Sequence, residues 1–314
     1  MTAKSAIRLL LIMSTSVALM AASKAQMAGT AKETQRVSSP YAAEESTSIS
    51  TSLERRDLDL RAALSAQPNS PELLFAYALV LRQEGKARES LAVYTRAADF
   101  RKPTAEELRS VALDYVLLSD YDNAIHWLET AEQIDPNNND VLYSLGRCYY
   151  SKDRFLEARK AFEQILAIEP HNLKAEENLG LVYDATNEPE KAEKALRDAA
   201  ARADTKGPDE WPFLDLGGFL LDHNRPTEAI GSLRISVRIK AACGPCHEKL
   251  GRALLATHDA TAGIAELEEA IRLEPENPRT HYELGRALRQ AGQTERAQQE
   301  FNISQKLYAS HSQE

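Results

Sequence analysis

Apolar side chains recur from Leu53 onward at the three- and four-residue spacing of amphipathic helices, and the pattern repeats at an offset of 34 residues. Seven units follow one another, with three additional residues, Gly207, Pro208 and Asp209, before the fifth. The units begin at Pro71, Ala105, Asn139, Leu173, Glu210, Gly244 and Pro278. This repetition predicts one array of similar elements over residues 71–311 rather than two independent globular domains.

Four positions of the repeat have a fixed side-chain size. The eighth position is always Gly or Ala, and the twentieth is Gly, Ala or Ser. The eleventh and twenty-fourth positions are always Leu, Tyr or Phe. Small residues at two positions allow two helices to approach closely, and the large residues fill the space between them.

The units resemble the tetratricopeptide repeat, whose pattern is Trp-x2-Leu-Gly-x2-Tyr, then Ala, an aromatic residue and Pro. The Leu-Gly step recurs as Leu145-Gly146, Leu179-Gly180, Leu216-Gly217, Leu250-Gly251 and Leu284-Gly285. The resemblance implies an all-α fold, an α-solenoid of stacked antiparallel helix pairs wound into a right-handed superhelix. Each unit would turn near its fifteenth position, which holds Gly85, Ser119, Asp153, Asn187, Asn224, His258 and Gly292.

The units depart from the family pattern in two places. The fourth position, often Trp in the family, holds polar residues in three units, Glu176, His247 and His281. The additional residues before the fifth unit predict a local change of pitch or a hinge. Alternatively, the longer loop accommodates Arg202, which occupies a position where the other units have Phe, Ile or Leu.

The N-terminus has the features of an export signal. Lys4 and Arg8 precede a mostly apolar stretch that is too short to span a bilayer, and small residues flank a cleavage site near Ala25. We therefore expect a signal peptide over residues 1–25, a flexible Ser/Thr-rich linker over residues 26–52, and a capping half-repeat over residues 53–70. The mature protein would be periplasmic or extracellular, with no stable membrane span.

Composition excludes several functional classes. The chain of 314 residues has 47 acidic and 38 basic side chains, and removal of residues 1–25 changes the net charge from −9 to −12. An acidic chain is a poor nucleic-acid binder, because phosphate neutralisation requires basic residues. Phosphate-loop, dinucleotide-binding, zinc-protease and serine-hydrolase motifs are absent from the sequence, so we predict no enzymatic activity.

The family usually binds extended peptides or helices in a concave groove formed by the first helix of each unit. The second, fifth, ninth, twelfth and thirteenth positions point together on such a helix. Basic and aromatic residues occupy many of these positions and are the candidate partner-binding residues: Tyr143, Arg147, Tyr150, Trp211, Arg252, Arg279, Tyr282, Arg286 and Arg289. This composition favours an acidic protein or peptide partner. The alternative is that the arginines form ordinary surface ion pairs with nearby glutamates.

One further motif carries chemistry. Cys243-Gly244-Pro245-Cys246-His247 matches the Cys-x-x-Cys-His signature of covalent haem attachment, with His247 as iron ligand. His281 follows His247 by 34 residues, so the histidine belongs to the repeat, and the array contains no methionine as a second axial ligand. We therefore expect a disulfide between Cys243 and Cys246, or an inert thiol pair, with no cofactor and no metal. Haem c or thiol redox chemistry at this motif is the alternative.

The sequence thus predicts an exported, non-catalytic scaffold that binds a protein or peptide partner, in envelope assembly or secretion. A redox protein centred on Cys243, Cys246 and His247 is one rival function. Self-association through an open end of the stack is another.

Overall fold

The protein is helical throughout the part of the chain that its computed structural model describes, residues 40–206 and 209–311. The predicted signal, residues 1–25, and residues 26–39 of the predicted linker lie outside these ranges. The helices are α1 (Pro40–Ala66), α2 (Pro71–Gln83), α3 (Ala87–Ala98), α4 (Ala105–Leu117), α5 (Tyr121–Ile134), α6 (Asn139–Ser151), α7 (Phe155–Ile168), α8 (Leu173–Ala185), α9 (Pro189–Lys206), α10 (Trp211–Asp222), α11 (Pro226–Ile239), α12 (Gly244–Ala256), α13 (Ala260–Leu273), α14 (Pro278–Gln290) and α15 (Thr294–His311). The all-α fold class expected from the sequence is confirmed.

Helix α1 begins at Pro40 and not at Leu53, so residues 40–52 belong to a helix instead of the predicted linker. Proline suits the first position of a helix, where its missing N–H has no partner to lose. No glycine or second proline interrupts the segment before Ala66, and the Ser and Thr run between Glu45 and Leu53 only lowers its helix propensity. The polar composition that suggested a linker therefore does not prevent helix formation here.

A side chain caps the first helix in six of the repeats. The cap residue directly precedes the helix, and its side chain accepts the backbone N–H of the third helical residue. The caps are Ser70, Thr104, Asn138, Asn172, Cys243 and Asn277. Each repeat thereby fixes its own starting residue in the array.

The fifteenth position of every repeat has a left-handed backbone, as the sequence predicts. Positive φ angles, between 57° and 79°, occur at Gly85, Ser119, Asp153, Asn187, Asn224, His258 and Gly292. Five of these residues are not glycine, and only a short or polar side chain makes such a conformation inexpensive. The turn leads the first helix of a pair directly into the second.

Close contact between the two helices of a pair depends on the eighth position. A Cβ atom at Gly217 would lie 2.5 Å from Cγ of Leu233, and one at Gly251 would lie 2.9 Å from Cγ of Leu267. Gly180 and Gly285 face Leu196 and Phe301 in the same way. These partners are the residues at the twenty-fourth position, so the predicted pairing of small with large positions is confirmed.

The described residues form two compact units that divide between Arg154 and Phe155. Residues 40–154 contain the pairs α2–α3 and α4–α5, together with α1 and α6. Residues 155–311 contain α7 and the four pairs from α8–α9 to α14–α15. In both units the second helix of a pair packs on the first helix of the next pair.

The additional residues before the fifth repeat do not interrupt the core of residues 155–311. Gly207 and Pro208, on which the predicted change of pitch or hinge falls, lie outside the described residues. Ala203 of α9 and Phe213 of α10, on either side of this loop, belong to one buried apolar cluster. Arg202 forms an ion pair with Glu176, so the two residues that depart from the apolar pattern of this repeat compensate each other.

A buried carboxyl group lies between the first two repeats. Asp114 is fully buried, and its Oδ2 lies 2.6 Å from the hydroxyl of Ser90, which also lies 2.8 Å from the carbonyl oxygen of Ala78. A hydroxyl has one hydrogen, so both contacts are hydrogen bonds only if Asp114 is protonated and donates to Ser90. Burial raises the pKa of Asp114 to about 7, against the opposing effects of Ser90 and Arg82.

Removing one glycine tests the close helix contact. Gly217→Ala should lower the free energy of unfolding by about 1–3 kcal/mol, because the new Cβ overlaps the fully buried Leu233. Gly231→Ala is the matched control, since Gly231 lies in helix α11 with no atom within 4 Å of an added Cβ. It should raise stability by about 0.5–1 kcal/mol. Urea unfolding followed by circular dichroism measures both, and equal stabilities of the two variants would contradict the packing described.

Asp114 should make stability depend on pH. Its pKa is raised on folding, so the folded protein binds a proton that the unfolded chain releases, and stability falls as the pH rises from about 4 to about 7. Asp114→Asn cannot ionise and should be more stable than the wild type at pH 8. Urea midpoints of both proteins between pH 4 and pH 8 test this, and parallel profiles would show that another group titrates.

Candidate functional site

The first helices of neighbouring repeats contact one another and form a face within each unit. In residues 155–311 this face comprises α8, α10, α12 and α14, and we call it the first-helix face. Asp222 of α10 lies 3.8 Å from Arg252 of α12, and Glu248 of α12 lies 3.5 Å from Arg279 of α14. These contacts join the positions that the sequence assigned to a common surface.

Three of the four predicted arginines of the first-helix face have carboxylate neighbours. Besides the pairs of Arg252 and Arg279, Arg286 lies 3.2 Å from Glu283 on its own helix. The side chains of Arg279 and Arg286 remain 57% and 49% exposed. The expected basic stripe is therefore partly neutralised, although these two arginines still reach solvent.

Aromatic residues of the same face are exposed. Tyr282 retains 49% of its surface, and its ring lies 5.6 Å from that of Phe301. The guanidinium of Arg289 lies 5.5 Å above the same Phe301 ring, which orients the arginine by a cation–π contact. Trp211 is also 49% exposed, at the first turn of α10. Tyr282, Arg286 and Arg289 thus form a cluster on α14, whereas Trp211 lies on another helix.

The three remaining predicted residues lie in the other unit, on helix α6. Arg147 is exposed, and Tyr143 and Tyr150 are half-buried. Each lies on the first helix of its repeat, at the register that the sequence predicted.

The prediction from the sequence named only basic and aromatic residues of the first-helix face, and so it omitted the carboxylates. Helices α8 and α10 each carry two more acidic than basic residues, whereas α12 carries one and α14 two more basic residues. The signal was available in the sequence, since Asp222 and Glu248 occupy the thirteenth and fifth positions of their repeats. The first-helix face is therefore acidic at α8 and α10 and basic at α12 and α14.

Cys243 and Cys246 form a disulfide at the start of α12. His247 is 7% exposed; its Nδ1 lies 2.6 Å from Oε2 of Glu266, and its Nε2 donates to the carbonyl oxygen of Ala241. His281 has the same arrangement one repeat later, with Glu300 at 2.6 Å. The shared geometry shows that His247 is a packing residue of the repeat.

These residues do not fit a covalently attached haem. Attachment consumes both thiols of the motif, which are bonded to each other, and requires a histidine nitrogen for iron, whereas both nitrogens of His247 have partners. Within residues 40–206 and 209–311, no group of three His, Cys, Asp or Glu side chains is placed to hold a metal ion. Across the same residues, no helix combines the length and the apolar character needed to cross a membrane.

Two repeat positions that are apolar in α13 are polar in the last helix of the array, α15. Gln298 and Gln305 are exposed at the positions where α13 has the half-buried Ile264 and Ile271. An isoleucine at these positions packs beneath the next repeat, and glutamine can remain hydrated instead.

Comparisons with known proteins agree with the repeat pattern. Family models described as tetratricopeptide repeat match residues 140–172 and 248–311, and one described as TPR repeat matches residues 112–153. Among curated proteins, BBSome complex member BBS4 of Bos taurus is 27% identical over 100 residues, which is 32% of this chain and 19% of that protein. Interferon-induced protein with tetratricopeptide repeats 2 of Cricetulus griseus is 34% identical over 107 residues, or 33% and 22% of the two chains. The match thus spans about a fifth of the length of these relatives.

Solved structures share the fold over most of the chain. A tetratricopeptide repeat protein from Parabacteroides merdae matches with a TM-score of 0.63 and 16% identity, covering 83% of this chain and 96% of that one. Yeast Tom70 matches with a TM-score of 0.63 and 16% identity, covering 82% and 55%. The repeat pattern, the helix pairs and the family models lead to one conclusion: the chain contains tetratricopeptide repeats, which the family models match over residues 112–172 and 248–311.

Proposed function

We propose that the protein is a non-catalytic interaction scaffold whose first-helix face binds an acidic segment of a protein partner at α12 and α14. The fold supports a scaffold that binds other proteins. The observation that carries the acidic partner is helix α14, which presents three arginines and one glutamate around an exposed tyrosine.

The spacing on α14 brings these side chains to one stripe. Arg279, Tyr282, Arg286 and Arg289 follow one another at intervals of three or four residues, which places them on the same side of a helix. Arginine pairs with carboxylates through two parallel hydrogen bonds, and an exposed tyrosine provides a rigid apolar contact beside them. An acidic peptide with an apolar residue fits this stripe.

The ion pairs already present would not prevent binding. Arg279 and Arg286 keep about half of their side-chain surface in solvent, 57% and 49%, so water screens their attraction to the largely buried carboxylates Glu248 and Glu283. A partner that excludes water from the stripe would form stronger charge-assisted hydrogen bonds than these. The negative charge of α8 and α10 opposes an acidic ligand there, so binding is confined to the basic part of the face.

We also propose that the protein is exported and that its partner belongs to envelope assembly or secretion. The charged, apolar and small segments of residues 1–25 support this, and so does the Cys243–Cys246 disulfide, because such bonds persist in oxidising compartments. A protein partner, and not a nucleic acid, suits the net charge of −9.

Charge reversal tests the binding stripe. Arg279→Glu with Arg286→Glu should raise the Kd for an acidic-aromatic peptide by at least about tenfold, because two charge-assisted contacts become repulsive. Fluorescence anisotropy against a panel of acidic, neutral and basic peptides with a shared tyrosine measures this.

The matched control is Arg234→Glu with Arg238→Glu, two exposed arginines of the second helix α11. It makes the same change of net charge away from the first-helix face and should leave the Kd nearly unchanged. Equal losses in both double variants would indicate a non-specific charge effect, and no preference for acidic peptides would refute the proposed ligand class.

Export predicts a defined N-terminus. The full-length chain expressed in a bacterial host should be recovered outside the cytoplasm, with Gln26 as its first residue after cleavage at Ala25. Cell fractionation followed by N-terminal peptide mass spectrometry measures both. Intact residues 1–25 on cytoplasmic protein would contradict the proposal.

A further inference from the structure

The disulfide of α12 stands where other repeats use a single polar side chain. Sγ of Cys243 accepts the backbone N–H of Cys246 at 3.2 Å, as Ser, Thr or Asn side chains do at the same position of five other repeats. Starting the helix therefore does not require a covalent bond. A bridge between residues three apart also restricts the unfolded chain less than a long-range bridge does.

The two sulfur atoms have different surroundings. Both residues belong to a buried apolar cluster, but Cys243 retains 7% of its residue surface, whereas Cys246 has none. The hydroxyl of Ser236 in α11 donates to Sγ of Cys246 at 2.9 Å, and Ser236 is itself fully buried. Four of the seven repeats have alanine at the position of Ser236, so core packing does not demand a hydroxyl there.

From this geometry we propose that Cys243–Cys246 is a thiol–disulfide exchange site for a dithiol reductant, with Cys243 as the attacked sulfur and Cys246 as the leaving thiolate. This goes beyond the proposed binding function, because it concerns covalent chemistry at the start of α12. Ser236 acts as a positioning residue for the leaving group.

The dithiol alone supplies the two electrons and two protons that reduce the disulfide. One thiolate of the reductant attacks Sγ of Cys243, a mixed disulfide forms, and the electron pair of the broken S–S bond moves to Sγ of Cys246. The Ser236 hydroxyl stabilises that thiolate by a hydrogen bond, and a more stable thiolate leaves faster. The second thiolate then attacks the mixed disulfide and releases Cys243, whose sulfur faces the N–H of Cys246 at the positive end of the helix. The reductant becomes a disulfide, and its two protons pass to the cysteines.

The reductant approaches beside a carboxylate. A Cβ at Gly244 would lie 2.7 Å from Cδ of Glu274, so this side chain covers the residue next to Cys243. Glu274 repels further negative charge on the reductant beyond that of the attacking thiolate. The site thus favours a dithiol without carboxylates or other anionic groups.

Reduction kinetics of the full chain distinguish an exchange site from an inert bridge. Without denaturant, we expect the rate of reduction by dithiothreitol at pH 8 to increase in proportion to the dithiothreitol concentration. The reaction is quenched by alkylation and followed by mass spectrometry. An inert bridge would react only through global unfolding, so a rate that saturates at the unfolding rate would overturn the proposal.

Ser236→Ala tests the leaving group. Loss of one hydrogen bond to the thiolate should slow reduction about fivefold. The urea midpoint of unfolding should decrease by a much smaller factor. Ser304→Ala is the matched control, because Ser304 occupies the same repeat position, is also buried and donates to the carbonyl oxygen of Pro278. It should leave the rate unchanged. Faster reduction in Ser236→Ala would show that the serine only packs, and would refute its role.

Single-cysteine variants test which sulfur is attacked. With Cys148 replaced by alanine, the Cys246→Ser protein should react with the uncharged reagent dithiodipyridine at Cys243, whereas Cys246 in the Cys243→Ser protein should remain protected. Circular dichroism verifies folding of both. Faster reaction at Cys246, or no reaction at either thiol in the folded state, would overturn the assignment.

Discussion

The close approach of the two helices in each pair is the contact on which the rest of the structure depends. Where the eighth position is glycine, the large side chain at the twenty-fourth position rests directly on the backbone of the first helix, as Leu233 does on Gly217. This contact leaves no room for a Cβ atom, so it fixes both the separation and the register of the pair. Packing of each second helix on the next first helix then follows, and with it the face on which the candidate binding residues lie.

Polar residues at the apolar positions of the repeat are tolerated because each obtains a partner within a neighbouring helix. Glu176 pairs with Arg202, and His247 pairs with Glu266 in the same way that His281 pairs with Glu300. A buried polar group without a hydrogen-bond partner destabilises the fold by roughly several kcal/mol. A polar residue at the fourth position therefore requires a polar partner on the other helix. The haem-like motif is explained by the same rule, since its histidine belongs to such a pair and its cysteines occupy the cap position and the first turn of the helix.

Much of the fold could be predicted from the sequence because the same local choices recur seven times. Left-handed residues at the fifteenth position and small residues at the eighth are each weak signals alone, but their repetition at one spacing identifies the helix pairs. The start of α1 was the exception. Residues 40–52 lie outside the repeat, so only helix propensity applied to them, and propensity is a weak guide.

The candidate site was only partly predictable. The sequence by itself determined which helix carries Arg252, Arg279, Tyr282 and Arg286, because helical periodicity assigns each residue to a side of its own helix. Tertiary structure alone decided which charges meet, since Asp222 with Arg252 and Glu248 with Arg279 are contacts between neighbouring helices. It also decided that Ser236 touches the sulfur of Cys246, across two helices. Periodicity describes one helix at a time, whereas distances between side chains of different helices depend on how closely neighbouring helices pack.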